Sequence, residues 1–252
     1  LIAAEKGEFS PPVNFREWMI QTFGRGIAES YLIPYNEKIW KMAPEEMSCH
    51  WVEGRIPRPP VEDVIRSAIG IETEGYTHQA VFSYPRTGGI EALVKAMAEP
   101  VAGFIDTNAP VTSVAREGDG FLVQAGGREV AADRVVSTIP LPSLLPCLPD
   151  VPERVMEACR NLRSTALLSV FIGVRGEVPP YSWVYVPSPE IGLFNRVSFP
   201  SNYSTAVAPP GHSSFLAEIT CAREDPLFSA PDEGIVSHVL GGLAKMGVLP
   251  DP

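Results

Sequence analysis

From Ser164 to Cys221 the chain carries four short apolar runs, ALLSVFIGV, SWVYVP, LFNRVSF and SSFLAEITC, separated by prolines and glycines. Apolar runs of strand length bounded by turn residues predict strands, and four in succession predict one antiparallel sheet. Ahead of them the spacing is helical. In NFREWMIQTFGRGIAESYLI, residues 14–33, the positions Phe15, Trp18, Met19, Thr22 and Phe23 recur near 3.6 residues, with Asn14 as the N-cap and Glu17 three residues on. That helix should break near Gly24 to Gly26, and Pro34 should stop whatever continues. PVEDVIRSAIG, residues 60–70, opens on Pro and closes on Gly as a short helix does. GGIEALVKAMAEP, residues 88–100, predicts another helix, entered through two glycines. Residues 109–140 alternate strand-like runs with turns at Gly118 to Gly120 and Gly126 to Gly127, a hairpin or meander ending on DRVVSTIP, which reads as an apolar strand of the parallel type. Helices are expected again over residues 152–161 and in DEGIVSHVLGGLAKMGV.

The pattern predicts an α+β fold: a helical substrate or cap subdomain over residues 1–84, a small β/α portion over 85–145, and an antiparallel sheet with a terminal helix over 146–252. The helices of residues 14–70 are expected to pack over one face of that sheet.

Composition narrows the function classes. Of 252 residues, 20 are Lys or Arg and 30 are Asp or Glu, a formal charge of -10, so the electrostatic footprint of a nucleic-acid or anionic-membrane binder is missing. The apolar run STALLSVFIGV falls far short of the roughly 20 residues that span a bilayer. Cys49, Cys147, Cys159 and Cys221 lack the close pairing of a zinc site or disulfide framework and read as reduced thiols of a cytoplasmic protein. His50, His78, His212 and His238 have no ligand spacing, and no metal is expected. FGRGIAE has two glycines of a dinucleotide fingerprint, but Glu29 stands where the third would be and no buried strand precedes it. There is no Walker sequence, GxSxG elbow or HExxH. The chain opens on LIAAEKGEFSPP and ends on LAKMGVLPDP, and is read as an internal piece of a longer protein.

What remains is a concentration of Trp40, Trp51, Trp183, Tyr35, Tyr185 and Tyr203 with Arg55, Arg196, Asn36 and Asn202. Aromatic faces beside guanidinium forks can sandwich a base or sugar and clamp a diphosphate; the same residues can also be ordinary core aromatics with solvated arginines.

The order of FGRGIAESYLIPYNEKIWKMAPEEMSCHWVEGR resembles a segment of the UDP-galactopyranose mutases, especially the eukaryotic type, that runs Gly-x-Gly-Ile-Ala, Pro-Tyr-Asn-x-Lys-x-Trp, then Met and Trp before Gly and Arg. FSYPRTGGIEALVKAMA, PVTSV, DRVVSTIPL, SWVYVP and FNRVSFPSNYS follow in the family's order. The YPRTGG and VVSTIP types of segment are shared with amine oxidases and protoporphyrinogen oxidases, the wider flavoprotein superfamily. The resemblance implies that Trp40 and Arg55 line the sugar and flavin side of the pocket as catalytic residues. Asn36, Gln79, Tyr185, Arg196, Asn202 and Tyr203 would bind a nucleotide-sugar substrate, with Tyr185 and Arg196 on the diphosphate. Arg86, Gly88, Gly89, Val111 and Thr138 would lie against FAD. At Gln79 the family tends to have Asn, which leaves the sugar open.

The implied reaction interconverts pyranose and furanose forms of a UDP-galactose-type sugar with reduced flavin as nucleophile, and needs no side-chain general base. An amine oxidase or protoporphyrinogen oxidase type of oxidoreductase is the alternative, and a substrate-binding domain without activity a third reading. The family's N-terminal GxGxxG segment does not occur in this sequence, so FAD is expected in the longer parent and not on this chain alone. A homo-oligomer is the expected assembly.

Overall fold

The computed structural model describes residues 10–52, 54–56, 60–71 and 81–249. Helix α1 (Phe15–Phe23) starts as its sequence requires: the Asn14 side chain accepts from the Glu17 N–H at 2.9 Å, and the Glu17 carboxylate accepts from the Val13 N–H at 3.1 Å. The first bond satisfies a backbone donor that a helix start leaves orphaned, and the second ties the residue ahead of the cap back to the first turn. Gly24 ends the helix at φ 82°, a left-handed conformation that favours glycine.

Pro34 does not stop the helical path. The chain runs through α2 (Arg25–Ile27), a π-helical turn (Ala28–Leu32) and α3 (Ile33–Trp40), with Pro34 in the first turn of α3. In a regular α-helix the proline ring strikes the carbonyl four residues back. Here the Ile33 N–H bonds five residues back to the Ala28 carbonyl, and the wider turn displaces the carbonyls the ring would meet. Phe15, Trp18, Met19, Ala28, Ile33 and Val52 close a small core around these elements. Helices α4 (Val61–Ala68) and α5 (Glu91–Ala98) follow.

The chain divides into two compact units, residues 1–93 with 165–252, and residues 94–164. In the second unit β1 (Val111–Glu117), β2 (Gly120–Ala125) and β3 (Arg128–Ala132) form the expected antiparallel meander. Its β2–β3 turn places Gly126 and Gly127 at φ 56° and 75°, the paired left-handed residues of a tight hairpin. The expected strand on DRVVSTIP is not formed: residues 133–140 have no ladder partner among the described residues, and Val136 is 88% exposed. An apolar parallel-type run becomes a strand only when neighbours supply its hydrogen bonds. Helices α6 (Leu141–Leu144) and α7 (Glu153–Arg160) complete this unit.

In the first unit, β4 (Thr165–Arg175), β5 (Trp183–Tyr185), β6 (Arg196–Ser198) and β7 (His212–Ala222) build the predicted antiparallel sheet in the order β4-β7-β6-β5. Phe215, Ala217 and Ile219 alternate onto one buried face, where they meet Ile235, Val239 and Leu243 of α8 (Asp232–Lys245). The expectation for the helices of residues 14–70 holds only in part: α3 packs against β7, but the N-terminal helices also close a core of their own, and it is the C-terminal helix that joins the sheet's core.

Packing at α8 is tight enough to test. A Cβ at Gly242 would stand 2.7 Å from Phe194 Cζ and 2.8 Å from the Ile191 carbonyl oxygen, whereas one at Gly241 would meet nothing within 4 Å. Gly242→Ala should therefore lower stability by about 1–3 kcal/mol, the cost of overpacking. Gly241→Ala should raise it by up to about 1 kcal/mol through helix propensity. Denaturant unfolding of both variants checks the contrast.

Candidate functional site

The strand register sets a polar row across the first unit's sheet. Tyr185 pairs with Arg196 across β5 and β6, and Arg196 with Glu218 across β6 and β7. Glu218 is buried, and Arg196 meets it bidentately: Nη2 donates to Oε1 at 2.7 Å and Nε donates to Oε2. The hydrogen bonds to Glu218 raise the guanidinium's already high pKa. They occupy one edge of the planar fork and leave the other free, and the Arg196 side chain keeps 39% of its exposure.

A wall of tyrosines stands beside this row. Tyr31, in the π turn, stacks on Tyr35 of α3 with centroids 5.7 Å apart and planes at 11°, and Tyr35 meets Tyr185 at 5.0 Å. Burial, with Tyr185 next, pushes both phenols above their ordinary pKa of 10.0.

The next position on α3 turns to different work. Buried Asn36 donates to the Leu32 carbonyl at 2.8 Å and to Met19 Sδ at 3.7 Å, and its Oδ1 accepts from Trp40 Nε1 at 3.1 Å. Its amide is thus spent on orienting Trp40, a residue 40% exposed whose ring meets Trp51 edge-on at 5.4 Å. Arg55 follows the turn His50–Val52. Its side chain is exposed and has no hydrogen bond or ion pair among the described residues.

A third group reaches the row through β5. Phe82 lies 5.8 Å from Trp183 and 5.2 Å from Tyr203, and Tyr84 lies 5.3 Å from Tyr203. Tyr203 Oη donates to the Ser182 carbonyl at 2.8 Å, and Asn202 Nδ2 donates to the carbonyls of Pro179 and Tyr181, both at 2.8 Å. Ser204 Oγ donates to the Arg86 carbonyl at 2.5 Å, fixing the loop that leads to Gly88 and Gly89.

The fold therefore gathers Tyr185 and Arg196 beside α3, which also bears Asn36 and Trp40, and joins Asn202, Tyr203 and Arg86 through the edge strand. Val111 and Thr138 belong to the second unit. Val111 opens β1, its carbonyl accepting from Cys147 Sγ at 3.5 Å, and Thr138 is exposed in the irregular stretch after β3. Gln79 lies outside the described residues. Tyr31 and Glu218 escaped the sequence reading. Their signals were a second tyrosine one helical turn before Tyr35 and a lone carboxylate inside the apolar run SSFLAEITC. Among the described residues no cluster of His, Cys, Asp and Glu could hold a metal ion.

Residues 9–252 match the family of flavin containing amine oxidoreductases. The chain belongs to that family. Among solved structures it is similar to a reduced UDP-galactopyranose mutase, with a TM-score of 0.85 and 24% identity over 99% of this chain and 56% of that one. It is also similar to putrescine oxidase bound to putrescine, TM-score 0.57 and 17% identity over 92% of this chain and 50% of that one. An oxidoreductase from Methanosarcina mazei matches with a TM-score of 0.59 and 15% identity, over 97% and 55% of the two chains. The chain thus spans about half the length of these structures, and at such identities the likeness shows the fold. Family membership implies a flavin, and the glycine pair ahead of α5 fits one. Gly88 and Gly89 have φ of 78° and 63°; a Cβ on Gly88 would crowd Ala92 Cβ at 3.2 Å, whereas one on Gly89 would meet nothing closer than Tyr84 Oη at 3.7 Å, so it is the backbone at Gly89 that is bare enough for a flat ring.

The tyrosine wall has an alkaline signature. Because folding raises the Tyr31 and Tyr35 pKa values, the folded chain holds protons that the unfolded chain releases near pH 10, and the resulting stability, present below pH 10, is lost as pH rises beyond it. Tyr35→Phe should flatten the fall of the thermal midpoint between pH 10 and 11; an unchanged slope would show that Tyr35 is not buried as described.

Proposed function

We propose that the parent protein is an FAD-dependent mutase that interconverts the pyranose and furanose forms of a UDP sugar, and that this chain supplies its substrate-binding side. One observation carries the reading: Arg196 is held by Glu218 on one edge of its guanidinium and presents the other edge beside Tyr185. A diphosphate offers paired oxygens at the spacing of that fork, and bidentate, charge-assisted bonds are among the strongest available to a side chain. The stacked Tyr31 and Tyr35 give a flat apolar face for a base, and Trp40, held by Asn36, gives a second such face on the same helix. When bound, reduced flavin supplies the nucleophile for such a reaction, and Gly88 and Gly89 with Arg86 are the residues of this unit that would hold it. The chain's own residues bind and orient the nucleotide sugar and stabilise the departing diphosphate, without moving a proton.

The amine oxidoreductase reading draws on the family's name and the putrescine oxidase likeness. The geometry favours it less, since an exposed guanidinium edge offers only donors and repels an ammonium substrate. In the full-length protein Arg196→Ala should weaken UDP binding by about 1.5–3 kcal/mol, the range for a hydrogen bond to a charged group. Titration calorimetry with UDP reads this directly. Unchanged affinity would remove the basis of the mutase reading, as would net bleaching of oxidised flavin by an amine.

A further inference from the structure

The segment between β5 and β6 is pinned from two directions. From α8, Lys245 Nζ donates to the Glu190 carbonyl at 2.8 Å, and His238 Nε2 accepts from the Leu193 N–H at 2.9 Å. From α3, Lys38 Nζ donates to the carbonyls of Val186 and Ser188 at 2.8 and 3.0 Å and lies 5.9 Å from the centroid of the Phe194 ring. Val186 directly follows Tyr185, and its N–H donates to the Asn195 carbonyl at 2.9 Å, continuing the pairing that sets Tyr185 opposite Arg196. Lys38 itself lies between Tyr35 and Trp40 on the helix that carries both aromatic faces.

We infer that Lys38 is a positioning residue for the nucleotide site: by grasping the carbonyls of Val186 and Ser188 just beyond Tyr185, it clamps the aromatic helix to the strand pair that presents Tyr185 and Arg196. The inference rests on the reading that this site takes a nucleoside diphosphate.

The placement is costly for a lysine that merely decorates the surface. The ammonium is half-buried with carbonyls and a ring as its partners, and that burial, with the like charge of Lys41 second, pulls its pKa down to about 8. A long flexible side chain ordinarily keeps its charged head in water. The neutral amine retains two N–H donors, enough for both carbonyls, so the clamp persists on either side of that pH. Tyr35 and Tyr185 touch each other only as rings, a contact without directional bonds. The Lys38 hydrogen bonds add the directional link between the same two elements. Without them the helix can shift along the strand, and the two walls of the site lose their mutual spacing while each keeps its own core.

The test uses the full-length flavoprotein with UDP as the probe. Lys38→Met keeps the stem and removes the donors. It should raise the UDP dissociation constant and the substrate KM by about tenfold, the scale of one or two lost hydrogen bonds, and change kcat by less than about threefold, as loss of uniform binding does. Lys38→Arg, which restores donors at similar reach, should recover affinity to within about threefold of the parent. Lys245→Met loosens the same segment from the α8 side and should leave the dissociation constant within about twofold. Parent protein that binds no UDP would overturn the functional reading itself. Parent protein that binds UDP, together with a Lys38→Met protein that binds it equally well, would overturn the clamp alone. Should Lys38→Met fail to fold, Lys38→Gln carries the test with its shorter donor: affinity at least about threefold below that of Lys38→Arg supports the clamp, and equal affinity overturns it.

Discussion

A carboxylate buried in the middle of a sheet must find a cation, and Glu218 finds Arg196 on the adjacent strand. Leaving such a charge unpaired costs about 3–5 kcal/mol, so the pairing constrains everything that shares its register. A slip of one residue between β6 and β7 would send Arg196 to the face packed by α8 and expose Val197 in its place. The eleven-residue ladder of β4 against β7 anchors that register from the other side, with Ser169 opposite Glu218. Tyr185 inherits its position from Arg196, and the tyrosines of the helical side stack outward from Tyr185. The site is therefore a consequence of strand pairing around one ion pair, with the helix supplying its aromatic walls.

Two separate cores make that division of labour possible. The sheet and α8 form one around Phe194, Phe199 and Phe215, and the N-terminal helices form another around Phe15, Trp18 and Met19. Helix α3 lies where the two meet within the unit. It buries Ile33 and Asn36 toward its own core and directs Tyr35 and Lys38 to the sheet's strands. The π turn ahead of it carries Tyr31 and Ala28, and gives Pro34 a place within a continuing helical path.

The parts of this arrangement that were legible in the sequence are those fixed by local rules. Asn14 with Glu17 marked the start of α1, Gly24 its end, and the four apolar runs after Ser164 their strands, because caps, left-handed glycines and period-two alternation act over a few residues. The π turn was not legible, since Pro34 obeys a rule whose exception depends on a bond from Ile33 to Ala28. DRVVSTIP carries a strand's composition, yet a strand exists only with a neighbour to pair with. Glu218 and Lys38 were not legible for a related reason: a lone charge in an apolar run, or one of several charges on a short helix, looks like a surface position until the partner, 22 residues away for Glu218 and 148 for Lys38, is seen. Arg196, Tyr185, Asn36 and Trp40 stood out by residue type and by resemblance, but the division of roles, with Asn36 spent on Trp40 and Glu218 holding Arg196, needed the geometry.

The central claim is that Glu218 serves the site through Arg196 alone. A double-mutant cycle on UDP affinity in the full-length protein, with Arg196→Ala, Glu218→Ala and the pair, measures this directly. The account predicts that Glu218→Ala weakens UDP binding while Arg196 is present, and that adding it to Arg196→Ala brings no further loss. Losses from the two substitutions that simply add would contradict it, because they would mean that Glu218 and Arg196 act on the ligand independently.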